Sequence, residues 1–290
     1  MEKIDIIDNS NKFYNLPKRI ADESNDIIKL TKHSVTYNQI NIRLDNLKIN
    51  GDGSVSLNIS RTYYFDSLIT NRASDYKMEN GITIREIYEP GPYIKPLKIS
   101  KFSNHLGFNG FVLTTDNKIP FIYRSDKVSI GKNTWGNSIG ASLKTKYAVE
   151  KDSTHKFTLD GIGNSIINEI EEELGIDCSS ISSQDAVKSI ITFYRDLVEA
   201  GKPQFLFFLK VPYTSNELEF FFLLKNKQTK KGKEKVEQDG KIIEFFTIDE
   251  LKKMKILPGK LRLTKDGKEK EYATMPSASA SIIMLLERKN

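Results

Sequence analysis

A single cysteine in 290 residues, Cys178, rules out an intramolecular disulfide and any cysteine-based metal cluster. Histidine is scarce as well: His33, His105 and His155 are scattered and fit no zinc spacing. Long apolar runs are missing. The densest, residues 205–209 and 220–224, fall far short of the ~18 residues that a membrane helix needs. The opening Met1-Glu2-Lys3-Ile4-Asp5 lacks the basic-then-apolar pattern of a secretory signal. No membrane partner is therefore expected, and the expected location is the cytoplasm. What is present, 38% hydrophobic and 28% charged residues, reads as a soluble globular chain with material for a real core. The length suits one large or two modest domains at ~100–200 residues each.

The net charge is +6, and much of the excess lies between residues 225 and 270. Lys225, Lys227, Lys230, Lys231, Lys233 and Lys235 read as an exposed hairpin or loop. A solvated face accounts for them. The other reading is attraction for a polyanion, either a phosphate-rich small molecule or RNA. Interleaved Glu234, Glu237 and Asp239, and a lack of aromatics in the run, weigh against RNA.

Periodicity gives a coarse map. Residues 1–35 are mixed and polar, with a helix expected over 18–30. Alternating apolar positions over 39–49 and 54–60, split by Asn50-Gly51-Asp52-Gly53, predict a β-hairpin. The aromatic stretch 61–71 is expected to pack against it. A proline-rich connection over 89–96 sets a boundary near residue 100, giving a β-rich module over 1–100 and a second domain over 101–290. Further expectations are a hairpin over 108–115 and 119–124, a strand over 135–143, and an acidic helix over 159–174 capped by Thr158 or Asp160. Paired strands over 189–194 and 204–211 and a short helix over 215–222 come next. A strand over 241–247, a Thr247-x-x-Glu250 capping box and a helix over 276–289 complete the series. The whole reads as mixed α/β, with a mixed sheet.

The acidic helix is the most informative element. Glu169, Glu172 and Glu173 stand at i, i+3 and i+4, so like charges face each other at a cost of roughly 0.2–0.5 kcal/mol per pair. They crowd toward the negative end of the helix dipole. Ile166, Ile167, Ile170 and Leu174 fill the adjoining sector and form the expected buried face. Glu171 points to the solvent side, and Gly175 fits a left-handed helix end. A divalent cation held by these carboxylates would turn the repulsion into a gain.

Asn168-Glu169-Ile170-Glu171-Glu172-Glu173-Leu174-Gly175-Ile176 resembles the second half of the Nudix box, Arg-Glu-U-x-Glu-Glu-x-Gly-U, where U is a bulky aliphatic. Only the first position, Asn168, differs. Strict spacing of the first half puts its Gly and Glu at Thr154 and Asp160, no match for the glycine and only a chemical approximation for the acid. Trp135-Gly136-Asn137-Ser138-Ile139-Gly140 is similar to the strand and glycine ahead of the box. With Gly140 as the motif glycine, a polar insertion over 144–158 separates the halves. The resemblance runs from about residue 104 to the end.

The resemblance implies an α/β/α sandwich over that part of the chain, and the β-rich module over 1–100 would then be an N-terminal extension that shapes substrate access or homodimerisation. It implies Mg²⁺- or Mn²⁺-dependent hydrolysis of a diphosphate linkage in a nucleoside diphosphate derivative: a nucleotide sugar, a dinucleotide or ADP-ribose. Carried over by position, Glu172 and Glu173 are the principal metal ligands, and Glu169 is a further ligand or orients the attacking water. Gly140, Arg124 and Arg195 are candidate substrate contacts. Asn168 stands where the family has an arginine that holds a motif glutamate, and an amide supplies no charge. Lys144, Lys146 and Arg124 are candidates for the missing cation. The alternative reading is a catalytically weakened nucleotide-binding sensor.

Overall fold

Period-two alternation builds the first sheet. In this computed structural model, which describes residues 3–31, 37–124, 131–147, 156–231, 240–265 and 268–288, three strands lie in the order β1-β3-β2: Ile4–Phe13 (β1), Ile40–Ile49 (β2) and Val55–Tyr63 (β3). Ile42, Leu44, Val55, Leu57 and Ile59 are buried, as the alternation requires. β2 and β3 form the expected antiparallel hairpin. At its turn Gly53 adopts φ +80°, and Asp52 Oδ1 accepts the Ser54 N–H at 3.0 Å. β1 pairs in parallel with β3 in a stretch whose polar sequence announces no strand.

The chain falls into two compact units. Unit 1 comprises Met1–Gly107, Ser142–Ser165 and Phe193–Phe205; unit 2 comprises Phe108–Ala141, Ile166–Thr192 and Leu206–Asn290. His33, Thr154, His155, Lys233, Glu234, Lys235, Glu237 and Asp239 lie outside the described residues.

Unit 1 adds Lys18–Asp22 (α1), Ser24–Thr31 (α2), Tyr64–Ile69 (α3) and Ile84–Tyr88 (α4). The one helix expected over 18–30 is two, interrupted at Glu23. Ile20, Ile27, Ile69, Met78, Ile84 and Phe102 share one apolar cluster. Charge is withdrawn from water here too, Lys202 fully and Arg72 and Glu199 in large part. Glu199 lies 2.8 Å from Lys202 Nζ and 3.4 Å from Arg72 Nε. Burial works against ionising Glu199, but the Lys202 and Arg72 charges prevail and hold its carboxyl below the usual range. Removing one partner from such a buried pair costs about 3–5 kcal/mol, so this triad fixes Arg72 and the 199–202 turn.

Unit 2 is built on Gly107–Leu113 (β4), Lys118–Arg124 (β5), Trp135–Gly136 (β6), Ile139–Ser142 (β7), Leu159–Leu174 (α5), Ser183–Lys188 (α6), Ile190–Asp196 (β8) and Lys202–Lys210 (β9), of which β4, β7, α5, β8 and β9 have residues in both units. Then come Ser215–Lys231 (α7), Gly240–Thr247 (β10), Ile248–Lys253 (α8), Lys255–Leu257 (β11), Lys260–Lys265 (β12), Lys268–Ala273 (β13) and Pro276–Leu286 (α9). The sheets run β7-β4-β9-β8, β10-β5-β6 and β11-β12-β13.

Several expectations are corrected. β4 and β5 turn at Asn117 (φ +59°) but enter different sheets instead of pairing as one hairpin. Phe108, Phe111 and Val112 on β4, and Ile119, Phe121 and Ile122 on β5, are buried, so both strands require cover on two faces. The strand expected over 135–143 is two. Between them Ser138 is buried, with Oγ donating to Pro120 O at 2.7 Å and accepting the Val112 N–H at 3.2 Å. α7 is 17 residues long, so Lys225, Lys227, Lys230 and Lys231 ride on a helix and not on a loop. Asp116 anchors its start by accepting the Ser215 N–H and Oγ–H at 2.8 and 2.7 Å. The capping box at Thr247 and Glu250 is present.

His105, fully buried in unit 1, places Nε2 3.2 Å from Ser142 Oγ and stacks on Tyr64. Burial first, then the Lys202 and Arg72 charges, hold its imidazole well below the ordinary 6.5. The folded chain therefore keeps His105 neutral while the unfolded chain takes up a proton. Stability is intact above pH 6.5 and declines as pH falls below it, by up to about 1.4 kcal/mol per pH unit from this group. Denaturant titrations at pH 7.5, 6.0 and 5.0 should show this decline, and His105→Gln should flatten it; an unchanged slope in the variant assigns the acid sensitivity elsewhere.

Candidate functional site

Helix α5 carries the predicted glutamates, and its apolar stripe decides how it sits. Ile162, Ile166, Ile170 and Leu174, four residues apart, are buried. Each contributes roughly 1.5–3 kcal/mol, against roughly 0.2–0.5 kcal/mol per like-charge pair. The stripe therefore fixes the helix with or without compensation for its acids. Ile167, expected on the same face, is half-buried. Thr158 precedes the first helical residue, but its buried hydroxyl has no hydrogen-bond partner among the described residues, which include the helix N–H groups it would cap, so the cap expected from it is not made.

The three glutamates differ in setting. Glu169 is buried, Glu173 half-buried and Glu172 exposed. Each engages other groups of the protein, as does Asn168. Glu171 does not face solvent freely. It is half-buried and its Oε1 accepts the Cys178 N–H at 2.9 Å, which ties the helix to the segment after Gly175. Cys178 is itself buried, and burial, followed by the Glu171 and Asp177 charges, pushes its thiol to about 12. It stays protonated at neutral pH and supplies no thiolate nucleophile.

The helix ends as its sequence requires. Gly175 adopts φ +72° and donates its N–H to Glu171 O at 2.9 Å. Lys225 on α7 donates from Nζ to the Glu173 carbonyl oxygen at 3.0 Å. That cation sits at the negative end of the dipole, where the carboxylates crowd. No spacing in the sequence announces it, because the contact joins residues 52 apart.

The other predicted residues fall as follows. Arg124 ends β5, its N–H bonded to Thr134 O at 2.8 Å. Gly140 is exposed on β7, where a Cβ would lie 3.1 Å from Asn109 Oδ1. Arg195, in unit 1, directs Nε to the Gly201 carbonyl and Nη1 to the Lys95 carbonyl at 3.1 Å, so two of its donors hold backbone. Lys144 bridges to Asn41, and Lys146 Nζ lies 4.6 Å from the Tyr147 ring centroid; both belong to unit 1.

Among the described residues no group of three or more His, Cys, Asp or Glu side chains is gathered to hold a metal. Mg²⁺ is usually bound by one or two carboxylates completed by water and substrate phosphate oxygens. The chemistry of the donor set fits that mode, with Glu172 open to solvent, Glu173 partly so and Glu169 inside.

No protein-family model matches the chain, and no curated protein sequence matches it. It is similar to a solved structure, DR0079 from Deinococcus radiodurans, at 13% identity over 50% of this chain and 68% of that chain, with a TM-score of 0.31. A likeness that slight carries no argument about fold or function.

Gly175 tests the helix end. A Cβ there would approach Lys225 Cβ to 2.9 Å and Phe221 O to 3.1 Å, in a left-handed conformation. Gly175→Ala should cost at least about 1–2 kcal/mol from the conformation alone, read as a lower midpoint in urea. A midpoint equal to wild type would mean that the helix end does not require a glycine.

Proposed function

We propose that this protein is a metal-dependent pyrophosphohydrolase of the Nudix type, acting on a nucleoside diphosphate derivative such as a nucleotide sugar, a dinucleotide or ADP-ribose. The observation that carries the reading is the Glu169-x-x-Glu172-Glu173-x-Gly175 segment. It lies on one helix whose aliphatic stripe is buried and whose glycine is left-handed, as the resemblance requires. The mixed α/β architecture of the chain agrees with it.

Glu172 and Glu173 would hold Mg²⁺ or Mn²⁺ together with substrate oxygens. The bound ion supplies charge neutralisation on the diphosphate and Lewis acidity toward a water. The chain's own contribution is positioning. Glu169, buried beside the stripe, is placed by packing and orients either the ligand set or the attacking water. Lys225 and Gly175 hold the end of the helix against the repulsion of its acids. Hydrolysis breaks a P–O bond by attack of water at phosphorus, with no covalent enzyme intermediate, so fixed geometry and charge carry the rate.

One substitution favours the second reading, a nucleotide-binding sensor. Asn168 cannot supply the charge of the family's arginine. Such a sensor would bind the same ligand class without turnover.

The measurement is product release from a panel of nucleotide sugars, dinucleotides and ADP-ribose, with Mg²⁺, with Mn²⁺ and with neither. Wild type should turn over at least one of them only with metal. Glu173→Gln should lower the rate by at least about 100-fold, beyond the 10–100-fold that loss of a supporting contact costs at metal sites. Equal rates in the two proteins, or turnover indifferent to metal, would remove the hydrolase reading. Binding without turnover would favour the sensor.

A further inference from the structure

Unit 1 contains a cleft of about 790 Å³ whose lining residues all lie within residues 9–101. That volume is in the range of small-molecule sites, roughly 300–1,000 Å³. Two interruptions of the first sheet open it. Along β1 the pairing with β3 jumps from Asp8–Ile59 to Phe13–Arg61, five steps on one strand against two on the other. Along β2 the register slips at Asp45, between Leu44 and Asn46. Bulges of this kind re-aim side chains and are over-represented beside binding sites. Here the first presents Asn9 and Lys12 to the cleft, and the second presents Asp45 and Asn46.

The lining is cationic. Lys12, Arg43, Lys98 and Lys101 face one carboxylate, Asp45. Asp45 is already taken: Lys12 Nζ lies 3.1 Å from Oδ2, and Arg43 Nη1 pairs with Oδ1. Arg43 is more than nine-tenths buried, with its guanidinium 5.4 Å from the Tyr14 ring centroid and Nη2 on the Phe102 carbonyl at 3.4 Å. Its Nε is buried with no hydrogen-bond partner among the described residues, and so is the Oγ of Ser60, another wall residue. Two buried polar atoms in one cleft, neither partnered among the described residues, are costly unless something from outside satisfies them. Lys98 and Lys101 are exposed, and among the described residues neither amino group has an ion-pair partner. Phe13 and Tyr88 add ring surface, and Asn46 and Asn58 face each other across β2 and β3 as amide donors and acceptors.

We propose that this cleft binds a phosphorylated small molecule of nucleotide size. The phosphates would lie against Lys98, Lys101 and Lys12 and reach the free Arg43 Nε. The remainder would lie over the rings of Phe13 and Tyr88, with the asparagine amides reading its polar groups. Arginine and lysine together suit a phosphate better than a carboxylate-only ligand, because several oxygens present themselves at once. No residue of the glutamate helix lines the cleft and its ligand needs no metal, so the inference stands independently of the hydrolase reading.

The test is calorimetric titration of the full chain with ATP in excess EDTA, which removes metal-dependent binding. ATP should bind in the micromolar-to-millimolar range, and adenosine should bind at least about tenfold more weakly. The double variant Lys98→Glu/Lys101→Glu, changed at two exposed positions, should melt like wild type and weaken ATP by at least about tenfold. Lys252→Glu/Lys253→Glu makes the same charge change on α8 in unit 2 and should leave the affinity within about twofold of wild type. Glu172→Gln should leave it unchanged. No heat with ATP at millimolar concentration overturns the proposal. So does adenosine binding as well as ATP, or equal weakening by the two lysine pairs, which would mark a diffuse charge effect.

Discussion

The burial of four aliphatic side chains on α5 is the constraint from which the candidate site follows. A helix packed by one stripe has no freedom left to rotate about its axis. Once Ile166, Ile170 and Leu174 are inside, the direction of every other residue is set at ~100° per position. Glu172 lies ~200° from Ile170 and is exposed, whereas Glu169 lies ~60° from Ile166 and is buried. The acids are carried where the apolar face puts them. Their repulsion is small beside the stripe's contribution, which is why the helix tolerates a charge pattern that would be unfavourable in isolation.

Unit 1 works by a different economy of contacts. Its apolar cluster is accompanied by charge withdrawn from water: Lys202, buried, with the half-buried Arg72 and Glu199, and Arg61 with Asp8 at 2.7 Å. Asp8 also accepts the Phe157 N–H at 2.7 Å, so a residue of the first strand anchors the segment that leads into α5. Such pairs add little net stability over apolar packing, but they are intolerant of alternatives, since any shift strands a charge in a low-dielectric interior. The Arg61–Asp8 pair joins β3 to β1 at the point where their pairing becomes irregular.

Much of this was legible in the sequence where a pattern is local. The β2–β3 hairpin, α5, its glycine end, the Thr247 capping box and the last helix all follow from periodicity and terminal chemistry. What was not legible depends on distant residues. β1 is polar along most of its length and becomes a strand only because β3 offers a free edge. β4 and β5 look like a hairpin because their turn is correct, yet their two apolar faces send them to separate sheets. α7 looked short because its lysines read as loop; Asp116, about a hundred residues earlier, fixes its start. At the site, the glutamates and Gly175 were visible, and Glu171's bond to Cys178 and Lys225's to the helix end were not. The cleft of unit 1 left no linear trace, since register slips are properties of paired strands and not of either strand alone.

The two proposed sites also differ in the order in which charge must be satisfied. Three carboxylates repel a diphosphate, so an anion can approach α5 only after a cation has been taken up. The cleft meets an anion with lysines and an arginine already in place. A chelator therefore separates the two chemistries without any mutation. The net charge of +6 assists both, because a positive protein raises the local concentration of anionic ligands even when one of its sites is acidic. On this argument the excess of lysine that reads as a solvated surface in the sequence also acts as a long-range attraction, and salt should weaken it at the cleft more than at a site where metal and substrate oxygens are in direct contact.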